Sequence, residues 1–307
     1  MKTLVFLLVA SLVAPTAFSQ RKHKASYKGE RVVYQTKFGR MNGFYRSYFS
    51  NGKLKAQGTF CNNQRAEKWR LLDTNGKTVL QRTYLSPYNF KQSLPTFADS
   101  LTMKNRSERN AQGFHPNFPM TETDFSSMVR VEREIKPENN PALFQDNKCY
   151  KLLVDLVNKD SVRVYAGKAM MRIIHEGFNP NVYQLLSFRL TEDIAYDTLR
   201  GISAVYISGF SPFVKNTLTG EESELFWVYF PDIRSNLAKI SVDSDDFPRG
   251  MYAKNIRNID DIFFFRDFSS TILSIFRHGD KAIEIPKDPE QIELELLSNE
   301  ENAWMRK

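Results

Sequence analysis

Residue types that often carry catalysis occur in this chain, but their spacing matches no known catalytic or metal-binding pattern. The four histidines, His23, His115, His175 and His278, are far apart in the sequence. The pair His175-Glu176 lacks the second histidine, four positions after the first, that the helix of a zinc protease requires. The sequence therefore argues against a zinc site.

Two further segments resemble functional motifs without completing them. Gly209-Phe210-Ser211-Pro212-Phe213 follows a nucleophile elbow as far as the serine, but Phe213 replaces the glycine that allows the tight turn. Asp243, Asp245 and Asp246 offer carboxylates for calcium, yet the loop lacks the central glycine and the bidentate glutamate of an EF-hand, which favours a solvated acidic turn. We predict a protein that is not an enzyme and that uses no cofactor or metal.

The first 19 residues predict export from the cytoplasm. Lys2 precedes an apolar run from Leu4 to Val13 that is too short to span a bilayer, and Ala17 and Ser19 are the small residues that signal peptidase recognises. We expect cleavage before Gln20, no lipid-attachment cysteine near the cut, and no later transmembrane span. The predicted location is the periplasm.

Charge is divided unequally along the chain. Residues 20–120 contain 19 Lys and Arg against 5 Asp and Glu, a net charge of +14, whereas residues 121–307 contain 23 against 30, a net charge of −7. A basic half indicates an anionic neighbour, and an exported chain is expected to meet a membrane surface, cell wall or acidic protein rather than nucleic acid. A solvated basic face is the alternative interpretation, with equal weight.

The two cysteines, Cys61 and Cys149, do not form a disulfide framework, because they are too few and lie in different halves of the chain. An oxidising compartment permits a bridge between them. Two isolated small core residues are the favoured interpretation.

A repeat with a period of 24 residues occupies the basic half. Residues 45–60 align with residues 69–84, so that Asn51-Gly52 falls on Asn75-Gly76 and aromatic residues share positions. Each Asn-Gly predicts a type I′ turn between two strands, and each unit therefore predicts a β-hairpin. The pattern resembles MORN-type repeats, in which stacked hairpins form an extended sheet. We assign residues 25–84 to this region.

The remainder predicts a linker and a second domain, so that the fold class is α+β. Residues 85–123 contain several prolines among Ser, Asn and Gly and predict the linker, with a short helix at Phe97–Ala111. Residues 124–286 form the second domain, and residues 287–307 an acidic tail. Predicted helices cover Phe125–Ile135, Cys149–Val157, Ile262–Phe276 and Gln291–Trp304; predicted strands cover Ser161–Tyr165, Ile202–Phe213 and Leu225–Ile240.

Leu225–Pro231 contains four aromatic residues in seven positions. This density is typical of a buried core strand ended by proline, and it also suits an aromatic anchor for another subunit. The candidate partner-interface residues are Trp227, Tyr229, Phe230 and Arg234. The candidate contacts with an anionic surface are Lys53, Lys55, Arg65, Lys68, Arg70 and Lys77.

Four segments, in order, resemble the GldN/PorN family of gliding-motility and type IX secretion proteins. They are VEREIKPENNPALF (131–144), YKLLVDLVNKDSVRVY (150–165), LFWVYFPDIRSNLAK (225–239) and IDDIFFFRDFSSTILSI (259–275). The resemblance implies a soluble periplasmic subunit, peripheral to the outer membrane of Bacteroidota. It implies a ring built with an outer-membrane lipoprotein of the GldK/PorK type, and inner-membrane motor components as further partners. The alternative is an exported MORN-like module that binds anionic lipid or cell wall.

The cleavage site is directly testable. Because Ala17 and Ser19 satisfy the small-residue rule, the intact mass of the native protein should correspond to a chain that begins at Gln20. A native protein that retained Met1, or that carried a lipid, would contradict the predicted periplasmic location.

Overall fold

The computed structural model describes residues 20–86, 89–94, 108–117, 127–197, 202–242, 255–277 and 288–305. These residues form two antiparallel β-sheets and five α-helices, which confirms the predicted α+β class. The predicted signal peptide, the acidic turn at Asp243 and most of the predicted helix at Phe97–Ala111 lie outside the described residues.

The N-terminal sheet is a meander of seven strands in which each strand pairs with the next. The strands are β1 (Arg21–Tyr27), β2 (Glu30–Lys37), β3 (Arg40–Tyr48), β4 (Leu54–Cys61), β5 (Gln64–Leu72), β6 (Thr78–Ser86) and β7 (Asn89–Leu94). Side chains alternate between two faces. We call the buried apolar face the inner face; it carries Val32, Tyr34, Tyr45, Phe60, Trp69, Leu71, Leu80 and Tyr84.

The 24-residue repeat places equivalent aromatic residues on this inner face. Tyr45 and Trp69 occupy matching positions and stack with ring centroids 5.5 Å apart. Phe60 packs edge-on against Tyr45 at 5.5 Å and against Trp69 at 5.1 Å. Gly58 leaves room for this packing, since an added Cβ would lie 2.2 Å from the indole of Trp69. Successive hairpins therefore extend one aromatic core.

Both Asn-Gly pairs lie in hairpin turns, but the turns are not of type I′. Only the glycines have a positive φ, +80° at Gly52 and +87° at Gly76, and each glycine amide donates to a carbonyl three residues earlier, in Phe49 and Asp73 respectively. This is the geometry of a type I turn followed by a left-handed glycine. The Asp73 carboxylate strengthens the second turn by accepting hydrogen bonds from the amides of Asn75 and Lys77.

The second sheet has the strand order β14-β8-β10-β11-β13-β9, with β12 beside β11. Its strands are β8 (Ser127–Ile135), β9 (Val164–Tyr165), β10 (Tyr183–Asp197), β11 (Ile202–Asn216), β12 (Glu222–Glu224), β13 (Trp227–Tyr229) and β14 (Thr271–Arg277). The helices α1 (Pro141–Phe144), α2 (Lys148–Asn158), α3 (Phe230–Leu237) and α4 (Ile259–Phe264) contribute to the core on one face of this sheet. We call the opposite face the outer face of the second sheet.

Helix α2 and strand β11 agree with the sequence, but three other predicted elements differ from the structure, one in type and two in extent. Phe125–Ile135, predicted as a helix, contains strand β8 instead. Its polar residues have the spacing of a solvated helix face, yet they form cross-strand ion pairs with β10, Arg130 with Asp193 and Arg133 with Glu192. Pairing on both sides overrides the local pattern.

The other two errors concern where an element ends. The predicted strand Leu225–Ile240 is a strand only at Trp227–Tyr229, because Pro231 lies in the first turn of α3, where proline favours a helix. The predicted helix Ile262–Phe276 is a helix only to Phe264. Asn258 and Asp261 form the capping box that starts α4, but Arg266 has a φ of +54°, and Thr271–Arg277 then pairs with β8 as a strand.

Helix α5 (Pro289–Met305) lies between the two sheets, which agrees with the predicted terminal helix. Leu294 and Trp304 belong to the core of the N-terminal sheet, whereas Leu296 and Ala303 belong to a core with β8, β10 and β14 of the second sheet. The helix is thus apolar on two sides. It covers a sheet with each of them.

The acidic residues of α5 meet basic and hydroxyl groups of the N-terminal sheet. Glu300 forms a bidentate pair with Arg65, with oxygens 2.9 and 2.6 Å from the guanidinium nitrogens. Glu301 accepts hydrogen bonds from Tyr45 at 2.7 Å and Ser47 at 2.9 Å, and lies 3.5 Å from the buried ammonium of Lys55. Burial raises the pKa of Glu301, and Lys55, Tyr45 and Ser47 oppose that rise.

Hairpin turns of the N-terminal sheet also contact the second domain directly. Arg40 forms a buried pair with Asp267 at 3.0 Å. The side-chain amides of Asn63 and Gln64 donate to backbone carbonyls between residues 265 and 268. These polar contacts fix the position of the N-terminal sheet at the end of α4.

The hairpin turns can be tested by removing their glycines. Replacing Gly52 or Gly76 by valine should lower the free energy of unfolding by about 1 kcal/mol or more, because a β-branched residue is strained at positive φ. An added Cβ meets no atom within 4 Å at either position, so steric contact does not contribute.

Gly167→Val is the matched control, since Gly167 has the same open space without a left-handed φ. Denaturant unfolding of the three variants gives the comparison. Equal stability of all three would contradict the assigned turns.

Candidate partner interface

Two of the four candidate interface residues are core residues. Trp227 is fully buried, and its indole N–H donates to Glu224 at 2.7 Å. Phe230 packs edge-on against Phe210 and Phe263, with ring centroids 6.0 and 5.2 Å apart. The rings of Phe210, Phe230 and Phe263 hold α3 and α4 against the second sheet.

Arg234 is buried as well and holds three segments together. Its guanidinium pairs with Asp260 of α4 at 2.7 Å, and it donates to the carbonyl of His115 and the side-chain oxygen of Asn117. Burial raises the pKa of Asp260, and Arg234 opposes that rise. Arg234 therefore ties residues 108–117 to the second domain and has no exposed surface for a partner.

Tyr229 is the exposed member of the four, with 43 % of its surface accessible. On β13 it alternates with Val228, which points into the core with Phe210, so Tyr229 lies on the outer face of the second sheet. Trp227 shares this face and pairs directly with Tyr165 of β9, and Tyr165 in turn forms a bridge with Ile173.

The chain after β9 turns back and forms the edge of the sheet. The amide of Ala166 donates to the carbonyl of Arg172, and the amide of Ile174 donates to the carbonyl of Val164. No described strand lies on the far side of this returning segment. Its outer backbone groups are therefore positioned to accept another strand.

Large apolar side chains are exposed at this edge. Met171 is 85 % accessible and Ile173 is 46 % accessible, and Arg163 and Arg172 are exposed beside them. We call Met171, Ile173, Tyr165 and Tyr229 the edge patch. Exposed apolar groups next to a free strand edge are typical of a surface that another protein covers.

Sequence reasoning found Tyr229 but missed Met171 and Ile173. Their signal was the run Met170-Met171-Arg172-Ile173-Ile174, in which four of five residues are apolar without a turn or helix pattern. Such a run predicts a buried strand as readily as an exposed edge. Only the pairing with β9 shows which side chains reach solvent.

The six candidate basic residues divide into two groups. Lys53, Lys68 and Lys77 are exposed, and Arg70 is half-buried, on the N-terminal sheet. Lys55 and Arg65 are turned to the inner face instead, where Lys55 pairs with Glu30 and Glu301, and Arg65 with Glu300. Their charge holds α5 in place and is not presented to solvent.

The serine, the cysteines and the possible metal ligands considered in the sequence do not form a reactive site among the described residues. Ser211 is buried, and its hydroxyl donates to the carbonyl of Pro212. Cys149 is a thiol in the core, where burial raises its pKa to about 12, and it forms no disulfide with Cys61. The described residues hold no group of three or more His, Cys, Asp or Glu that could bind a metal, and His278 and Asp243 lie outside them.

A buried charge network lies on one face of the second sheet and spans neighbouring strands. Glu192 is fully buried and pairs with Arg133 at 2.9 Å and with Arg266 at 2.7 Å, and Arg133 also pairs with Glu293 of α5. Burial alone would raise the pKa of Glu192, but Arg266 and Arg133 hold that pKa below its usual value. The network links β8, β10, α5 and the segment after α4.

Comparison with protein families gives a match over part of the chain. The family described as "Gliding motility associated protein GldN" matches residues 168–305, a range that contains Met171, Ile173, Tyr229 and α5. A comparison with curated proteins gives no match. No helix among the described residues has the length and apolar character that crossing a membrane requires.

The different roles of Trp227 and Tyr229 predict different effects on stability. Trp227→Ala should lower the free energy of unfolding by about 3–5 kcal/mol, because it opens a cavity in the fold. Tyr229→Ala should lower it by less than about 1 kcal/mol, because the side chain is at the surface. Chemical denaturation of both variants measures these changes, with the exposed Leu218→Ala as the control. Equal destabilisation by Tyr229→Ala and Trp227→Ala would contradict the assignment of Tyr229 to the surface.

Proposed function

Because the chain belongs to the GldN family through residues 168–305, we propose that it is a non-enzymatic structural subunit of a periplasmic ring in the gliding-motility and type IX secretion machinery. Family membership makes the chain a gliding-motility-associated protein of the cell envelope. Its role in a ring, and its contact with an outer-membrane lipoprotein of the GldK/PorK type, are the specific parts of the proposal.

The edge patch is the observation that carries the proposal. It combines exposed apolar side chains, Met171 and Ile173, which lie near the start of the family match, with a strand edge that no described strand covers. A monomer that worked alone would gain nothing from this exposure, whereas an assembly subunit needs such a surface.

The geometry also indicates what the partner presents. An extended segment that pairs with residues 172–174 would gain main-chain hydrogen bonds, and its apolar side chains would pack on the edge patch. Arg163 and Arg172 flank the patch, so acidic side chains at the ends of that segment would be favoured. We assign this segment to the lipid-anchored partner.

The charged groups of the family-matched region support a structural role. Glu192, Arg266 and Arg234 are held in salt bridges that join separate elements of the domain. Such pairs hold the elements of the domain in defined positions relative to one another.

The test is purification of the tagged protein from native envelopes of the source bacterium, with mass spectrometry of the proteins that accompany it. The variant Met171→Glu/Ile173→Glu introduces charge at the centre of the edge patch. Leu218→Glu is the matched control, because Leu218 is 81 % accessible and lies in the turn at the end of β11. The wild type and the control should recover an outer-membrane lipoprotein, and the patch variant should recover at least about tenfold less.

Two results would contradict the proposal in different ways. A wild-type protein that recovers no outer-membrane lipoprotein would exclude the ring assignment. Equal recovery by the patch variant and the control would retain the assignment but exclude the edge patch as the contact. Melting curves of both variants establish that they are folded.

A further inference from the structure

The face of the N-terminal sheet opposite to α5 is strongly basic. We call it the basic face; it carries Lys22, Lys24, Arg31, Arg46, Lys68, Arg70 and Lys91. Strand pairing places these residues on one side: Lys24 is paired with Val33, Val33 with Arg46, Arg46 with Gln57, and Gln57 with Arg70. The neighbours Tyr45, Trp69 and Leu71 point to the inner face, which fixes the orientation of Arg46 and Arg70.

Almost no negative charge compensates this face. Residues 20–94 contain 16 Lys and Arg but only three acidic residues, Glu30, Glu67 and Asp73. Glu30 lies on the inner face beside Lys55. Among the described residues, no member of the basic face forms a salt bridge. The positive charge here is not used to hold the fold together.

Aromatic rings lie between the cations. The ammonium of Lys22 is 5.7 Å from the ring centroid of Phe44, and the guanidinium of Arg46 is 5.8 Å from the same ring. Arg31 lies over Tyr48 at 4.2 Å. Both rings are only partly buried. Cations with partly exposed aromatic rings are typical of protein surfaces at the level of lipid headgroups.

From these observations we propose that the basic face binds the surface of an anionic phospholipid bilayer. The charge is spread over the sheet rather than collected in a pocket: Lys24 and Lys91 are on β1 and β7, six strand spacings or about 29 Å apart. A layer of phosphate groups matches such a distribution. On β4 and β6 the polar residues Gln57, Gln81 and Thr83 stand between the cations. The apolar groups of the face, Val33, Phe44 and Tyr48, lie on β2 and β3 beside cations.

This inference rests on the N-terminal sheet alone and does not depend on the family match or on the edge patch. The basic face and the edge patch lie on the two sheets that α5 joins. A chain that holds a lipid surface on one sheet and a protein partner on the other would connect the two.

The experiment measures binding of the purified full-length protein to vesicles by sedimentation. Vesicles of pure phosphatidylcholine are compared with vesicles in which a third of the lipid is phosphatidylglycerol. The face variant is Lys24→Gln/Arg46→Gln/Arg70→Gln. The control variant is Lys148→Gln/Lys151→Gln/Lys239→Gln, which removes the same charge from exposed positions of the second domain.

The wild type and the control variant should bind the anionic vesicles but not the neutral ones, and high salt should release them. Since each basic residue at an anionic membrane contributes about 1 kcal/mol, the face variant should bind about 100-fold more weakly. Circular dichroism and melting show whether it is folded. If it is not, the single replacements Lys68→Gln and Lys91→Gln should each weaken binding about fivefold.

Three results would overturn the proposal. The first is a wild type that does not bind anionic vesicles. The second is an equal loss of binding by the face variant and the control variant, which would show that binding depends on net charge alone. The third is a wild type that binds soluble polyglutamate but not vesicles. The last result would assign the basic face to an acidic protein.

Discussion

Both sheets have an apolar face that must be kept from water, and one helix covers both. Helix α5 contributes Leu294 and Trp304 to the N-terminal sheet, and Leu296 and Ala303 to the second sheet. Without α5, the apolar residues that it covers on both sheets would be exposed to water. Burial of apolar area is the main favourable term in folding, so each sheet needs the helix to complete its core. The helix therefore makes the two sheets one unit, and it fixes the edge patch and the basic face in position relative to each other.

Helix α5 can pack between the two sheets only where its carboxylates meet basic or hydroxyl groups. Its carboxylates lose water on burial, a cost that is offset only where partners are in place. Lys55, Arg65 and two hydroxyl groups meet Glu300 and Glu301 on one side, and Arg133 meets Glu293 on the other. Part of the opposite charge of the two halves of the chain is thus satisfied internally. The positive charge that remains lies on the opposite side of the N-terminal sheet, where it is free to act on an external surface.

The sequence predicted those features that are set by local residues. Hairpins, helix α2, strand β11 and the terminal helix follow from turn residues and periodicity. Strand β8 and the short helix α3 were missed, because strand pairing and Pro231 outweigh the pattern. For the candidate interface, the density of aromatic residues indicated Trp227, which is buried. For the basic residues, composition did not distinguish the buried Lys55 from the exposed Lys53. Exposure depends on distant partners such as α5, and one sequence does not reveal them.

Native-state amide hydrogen exchange tests the central claim, that α5 joins the two sheets into one cooperative unit. The amides to follow are those of β3 and β5 in the N-terminal sheet, and of β8 and β10 in the second. If α5 completes both cores, the most protected amides of the two sheets should exchange with the same opening free energy, equal to that of global unfolding. An N-terminal sheet that opens at clearly lower free energy, while β8 and β10 stay protected, would contradict it.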